Sequence, residues 1–261
     1  MNSRYLMVLF LTFCTVPVTF ASPSIKDIRF VTGASLGYSN FSFSEKLDHE
    51  ISFPSINIPL VMTFEDWQVS ANLQTTLNDA DISEEEDTGK ASRDDLDITL
   101  GYRISKNWTL FGGYKYGNTN IQFTPRDIDE EEDLSITNER YKQKGPFVGV
   151  SYHWHFEKAG SLSLSVAFAD LTANNVFAEN TDEEEEEEET LEFDDLTGAV
   201  SGDTRGFSYS LSWTMPVSSN LLFQTRFKIN DYQQDIHYNG VEFKGIDESF
   251  TSLHVGLAYV F

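Results

Sequence analysis

Two groups of residues in this 261-residue chain invite a chemical reading before any fold is considered. The first is the unbroken run Glu183 to Glu189. Seven like charges in sequence repel, so the run stays extended unless cations neutralise it. It lacks the spaced Asp/Asn ligands, the glycine and the terminal glutamate of an EF-hand. Glu183, Glu185, Glu187 and Glu189 are therefore expected either to share calcium or magnesium weakly or to form a solvated, repulsive brush. No other cofactor is required. The second group is His153-Trp154-His155. On a strand both imidazoles project to one side, but two histidines do not complete a tetrahedral zinc site.

The acidity has a definite address. Eighteen Lys+Arg against 42 Asp+Glu give a formal net charge of -24. Three windows, 79–87, 127–133 and 179–195, hold 24 of those acids and no Lys or Arg, so the remaining 18 acids balance the 18 bases. A surface of this kind offers no cations to displace counterions from phosphates, which excludes nucleic acid as a partner. A composition 40% hydrophobic and 14% aromatic nevertheless requires a folded framework.

The N-terminus reads as a secretory signal. Arg4 supplies the positive region, Tyr5 to Cys14 the apolar region, and Thr19-Phe20-Ala21 the small residues before a cleavage expected after Ala21. The mature domain is then 22–261, without the only cysteine, Cys14. No later run is apolar over the roughly 20 residues that a membrane helix needs.

What the rest of the chain shows is strict alternation, in segments of the roughly 9 to 11 residues that a tilted membrane strand uses. Leu253, Val255, Leu257, Tyr259 and Phe261 oppose Ser252, His254, Gly256 and Ala258; Phe207, Tyr209, Leu211 and Trp213 oppose Ser208, Ser210 and Ser212. Ten such segments can be counted, ending at Phe261. They predict an all-β, antiparallel up-and-down transmembrane barrel. The polar face is Ser, Thr, Gly, Ala and Asn, which suits a narrow lumen better than a solvated face. Short connections at 65–66, 105–107, 157–160 and 217–220 alternate with long ones expected at 44–50, 78–93, 124–140, 174–203 and 236–247. Trp67, Trp108, Trp154 and Trp213 all flank short connections, as a headgroup girdle would. This pattern places the chain in a bacterial outer membrane, with periplasmic turns and the acidic loops outside.

Ten strands leave an interior filled by side chains, so a general porin is not expected. By parity Arg29, Asp97, Arg103, Lys115, Arg226 and Lys228 point inward. The excess of cations among them calls for acids from the loops, or water, to complete a network. A narrow gated channel is the reading in which that network conducts. On the outside, Lys142 and Lys144 share the parity of Val148 and Val150, with Arg140 and Arg205 near the same height. Cations at that level suit the phosphates of lipopolysaccharide.

Tyr141-Lys142-Gln143 followed by Pro146-Phe147-Val148-Gly149-Val150 resembles the sixth strand of the omptins, ten-stranded surface proteases of Gram-negative bacteria. The resemblance extends diffusely over residues 60–261. It implies a water activated by an aspartate pair in the second loop and an Asp-x-His pair in the fourth. Asp79 and Asp81 match the first pair. The fourth loop has no histidine, and the outer Asp-x-His is Asp235-Ile236-His237 in the fifth, so an omptin-like peptidase acting on basic peptides would rest on Asp79, Asp81, Asp235 and His237. A C-terminal strand ending in Phe261 likewise resembles the signal read by the barrel-assembly machinery. A single-chain barrel in contact with lipid and lipopolysaccharide is expected.

Overall fold

The computed structural model describes residues 28–43, 51–84, 87–124, 138–177 and 198–261. The signal segment, the first loop 44–50 and the acidic windows 127–133 and 179–195, including Glu183, Glu185, Glu187 and Glu189, lie outside the described residues. Eleven strands follow in order: β1 Ile28–Phe43, β2 Ile51–Phe64, β3 Trp67–Thr76, β4 Ala80–Glu84, β5 Asp87–Arg103, β6 Trp108–Thr124, β7 Asn138–Phe156, β8 Gly160–Phe177, β9 Gly198–Pro216, β10 Leu221–Tyr238 and β11 Val241–Val260. Consecutive strands pair antiparallel except β3 with β4, and the first pairs with the last, Val31 opposite Val260 through Phe43 opposite Glu248. β3 and β4 share one position in the wall. β3 pairs with the lower part of β5 (Thr75 opposite Asp94) and β4 with its upper part (Ala80 opposite Ala91). The result is a closed ten-position barrel with one interrupted strand.

Most strands are far longer than a membrane crossing needs, and their side chains show why. In the lower half apolar residues face out: Leu36 and Tyr38 on β1, Leu253 to Tyr259 on β11, Phe207 to Trp213 on β9. In the upper half the apolar parity switches and the same strands turn their apolar residues inward. Phe41 and Phe43 on β1, Ile51 and Phe53 on β2, Tyr141 on β7, Phe177 on β8, Ile236 on β10, and Ile246 and Phe250 on β11 form a buried cluster. Lipid rewards an outward apolar face, water an inward one. The switch thus divides each wall into a membrane belt and an upper barrel with a core of its own.

That upper barrel corrects several expected loops. Residues 78–93 are mainly a hairpin of β4 and β5; 138–140 belong to β7, 174–177 to β8 and 198–203 to β9. The fifth loop, expected over 236–247, is a tight turn between Tyr238 and Val241. Asn239 and Gly240 take positive φ of 48° and 84°, the backbone of a two-residue hairpin turn. At the opposite end the strands are joined by Glu65–Asp66, 104–107, 157–159 and 217–220. All four tryptophans are exposed beside these short turns, with Trp67 against Tyr102 at 4.8 Å and Trp108 against Tyr152 at 4.9 Å between ring centroids.

The turn yields a direct test. A β-branched residue is costly at positive φ, so Gly240→Val should lower the unfolding free energy by about 1–2 kcal/mol. Denaturant unfolding of the refolded barrel in micelles measures this, and Gly245→Val, at a second positive φ of 72° within β11, should behave similarly.

Candidate functional site

The interior is built in layers, each set by inward-facing residues of successive strand pairs. At the short-turn end is an open mouth bordered by Asp66, Arg103, Lys106 and His155. Arg103 lies there, 3.9 Å from Asp66 with both side chains more than half exposed, and Arg29 is exposed at the foot of β1. Neither belongs to the buried network expected of them. Inward parity does not confine a long side chain at a rim, where it reaches water.

Above the mouth is a cavity of about 300 Å³, walled chiefly by serine, threonine and asparagine. His153 sits at its lower edge. One ring nitrogen is 3.2 Å from the Thr109 hydroxyl, and the other is hydrogen-bonded to the Ser163 hydroxyl. The His155 ring is 6.4 Å away. With both His153 nitrogens engaged, and no group of three metal-ligating side chains among the described residues, the His-Trp-His pair is part of a polar wall.

The inner end of the cavity is charged. Lys115 Nζ lies 3.0 Å and Lys228 Nζ 2.5 Å from the two oxygens of Asp97. Arg226 Nη1 donates to Asn72 Oδ1 at 2.9 Å. His254 Nε2 is 2.9 Å from the Ser55 hydroxyl, itself 2.7 Å from Ser39. Four of the six residues read as a lumen network are therefore together in one layer, drawn from β5, β6 and β10.

A second polar layer above it was not read from the sequence. Arg93 donates from Nε and Nη2 to both oxygens of Asp95, each at 3.0 Å, and from Nη1 to Thr119 at 2.8 Å. Its guanidinium also lies over the rings of Phe41 and Phe250, 5.0 and 4.4 Å from their centroids. The Gln143 amide donates to Glu248, and the Tyr141 hydroxyl donates to Glu139 at 2.6 Å. The acids expected from the loops thus come from strands as Asp95, Glu139 and Glu248. The signal was present, since Arg93, Asp95 and Asp97 share one parity. The polar stretch 78–93 reads as a loop in the sequence, which hides Arg93.

On the outer wall, Arg140, Lys142 and Lys144 occupy alternate positions on one face of β7, directly above the apolar Val148 and Val150. Lys142 Nζ lies 5.9 Å from the Tyr116 ring centroid, and Arg140 Nε donates to Asn120 at 3.2 Å. Arg205 differs, being paired with Asp170 at 2.9 Å across β8 and β9. Among the described residues no carboxylate pairs with Lys142 or Lys144.

The four residues of the peptidase reading are not gathered. Asp79 is exposed just before β4, and Asp81 faces outward on β4, ion-paired with Lys90. Asp235 and His237 are on β10, where Asp235 accepts from the Gly245 N–H at 2.9 Å and His237 lies 3.3 Å from Glu242. β2, β1 and β11 separate the two positions around the wall, and the side chains point away from the axis. At roughly 4.8 Å between neighbouring strands, outward-facing groups so far apart cannot hold one water.

A closed antiparallel barrel with an outward apolar belt and an aromatic girdle has the fold of the outer-membrane β-barrels. Among solved structures the chain is similar to the outer membrane protease OmpT of Escherichia coli, with 13% identity over 93% of this chain and 99% of that one and a TM-score of 0.50. The β domain of the Bordetella autotransporter BrkA has 10% identity over 89% and 99%, with a TM-score of 0.48. The translocator domain of the autotransporter NalP from Neisseria meningitidis has 11% identity over 88% of each chain, also with a TM-score of 0.48. No protein-family model matches the chain, and no curated protein matches it. At such identities the likeness is one of fold.

Glu248 lies five residues above the belt segment of β11 that begins at Leu253, and is 2% exposed. Burial pushes its carboxyl up from 4.5 to about 7, with Arg93 opposing and Asp95 adding to the rise. The folded chain therefore holds a proton that the unfolded chain releases between these values. Its contribution is complete below pH 4.5 and lost as pH rises towards 7, by about 3 kcal/mol at 1.36 kcal/mol per unit. Unfolding measured at pH 4.5, 5.5 and 7 should show this slope, and Glu248→Gln should flatten it.

Proposed function

We propose that this chain is an integral protein of a bacterial outer membrane, a closed non-porin barrel that grips lipopolysaccharide phosphates on the outer face of β7 and displays acidic loops to the exterior. The short turns and their tryptophan girdle are then periplasmic. The observation that carries this reading is the Arg140, Lys142, Lys144 ladder. In a chain of net charge -24 it sets two lysines without a described carboxylate partner immediately above the membrane belt. Cations at headgroup height meet the phosphates of lipid A, with stems that run along the apolar wall. Arg205, already neutralised by Asp170, contributes less.

The acidic windows complete the proposal. Once the outermost surface is anionic, free polyanions are repelled while lipopolysaccharide is held lower, at the basic ladder. The loops act as a charged brush that binds calcium or magnesium weakly, and divalent ions bridge them to neighbouring phosphates. The buried upper core supports the non-porin reading, since it fills the cross-section with aromatic and aliphatic side chains.

Lys142→Glu combined with Lys144→Glu should reduce lipopolysaccharide binding by the refolded barrel about tenfold or more, each charge-assisted contact being worth roughly 1.5–3 kcal/mol. Binding measured in micelles against labelled lipopolysaccharide tests this. Unchanged affinity in the double variant would remove the proposal, whereas Arg205→Ala should have a smaller effect.

A further inference from the structure

The charged layer at the inner end of the cavity holds more positive charge than its own carboxylate offsets. Lys115 and Lys228 share Asp97, and Arg226 joins the same layer with one donor on the neutral amide of Asn72. Its Nε is buried without a hydrogen-bond partner among the described residues. Three cations thus face one carboxylate. His254, whose Nε2 meets the Ser55 hydroxyl, is neutral or positive and supplies no counter-charge. Asp95, Glu139 and Glu248 belong to the layer above, where Arg93 engages both oxygens of Asp95, Tyr141 donates to Glu139 and Gln143 donates to Glu248. Cations buried in excess of their counter-charges are strongly unfavourable, and an anion from solution relieves them.

A route for such an anion exists. Gln68, Thr109 and His153 border both the mouth and the 300 Å³ cavity, so the two are continuous from the short-turn end. Arg226, Lys228 and Lys115 all line the cavity, with the hydroxyls of Ser35, Ser208 and Ser210 on its walls. Above the charged layer the Arg93–Asp95 pair and the apolar cluster close the barrel. The space is a well with one opening.

We propose that the inner end of this well binds a small oxyanion (a phosphate, sulfate or carboxylate group) with Arg226 and Lys228 as its charged ligands and the wall hydroxyls as neutral donors. Arg226 is the specificity-determining residue, because its fork can present two parallel N–H groups to one oxyanion. A solute bound this way enters and leaves at the short-turn end. It does not pass through. The site is independent of the basic ladder on the outer wall and survives the failure of that reading.

The test uses the full refolded chain in detergent micelles, titrated with inorganic phosphate at constant ionic strength and followed by calorimetry and by NMR shifts of β10 amides. Saturable one-to-one binding is expected, weakened about tenfold or more in Arg226→Gln and less than about twofold in Lys106→Gln at the mouth. Absence of saturable binding at tens of millimolar, or equal affinity in Arg226→Gln, would overturn the proposal. Should Arg226→Gln fail to fold, the wild-type thermal midpoint decides. Phosphate must raise it relative to chloride at matched ionic strength, by mass action on the folded state, and no rise overturns the site.

Discussion

A strand immersed in hydrocarbon can satisfy its backbone only with another strand of the same protein, and everything else in this structure follows from that restriction. The sheet has to close, which it does by pairing β1 with β11 and by letting β3 and β4 share one edge of β5. Closure at ten positions fixes a narrow bore. Inward residues must then be small, as the serines are, or must bind one another, as Lys115, Asp97 and Lys228 do.

The same closed wall serves two solvents. Below the parity switch its apolar residues face lipid, and the bore is polar and partly hollow. Above it the outer face is polar, and the bore is packed with Phe41, Phe43, Phe53, Phe177 and Phe250. Between the two lies the Arg93 layer, where a guanidinium that is hydrogen-bonded at its edge and covered by aromatic rings on its faces makes the transition from charged to apolar packing. The upper core gives the barrel rigidity that no membrane supplies there. It also separates the well from whatever surrounds the loops.

How much of this the sequence disclosed depends on which side of the switch a residue lies. The belt strands were legible because alternation such as Leu253 to Phe261 is uninterrupted and its small polar face matches a lumen. The upper strands obey the same period with the apolar set moved to the other parity. Ile236 and Ile246 therefore look like stray apolar residues in a polar loop, and Phe41 and Phe43 like a broken alternation at a strand end, when only the first pattern is sought. Asn239-Gly240 was the one unambiguous turn signal in the fifth loop, and it identifies the hairpin once weight is given to it. Of the lumen charges, Asp97, Lys115, Arg226 and Lys228 followed from parity. Asp95 and Glu248 have the same inward parity as Asp97 and Ser252, but they lie above the apolar alternation from which the strand ends are read. Arg29 and Arg103 show the opposite failure, where correct parity at a rim still leaves a side chain in water.

The proposed well, covered by the upper core and open at the short-turn end, is examined most directly by side-specific thiol labelling. Ser165 lines the well and Ser219 lies in a short turn, so each is replaced by cysteine in a Cys14→Ser chain reconstituted into liposomes. A membrane-impermeant maleimide should modify Ser165→Cys only from the side on which it modifies Ser219→Cys. Comparable labelling of Ser165→Cys from both sides would mean that the upper core leaves an open path, and the account of a one-mouthed well would be wrong.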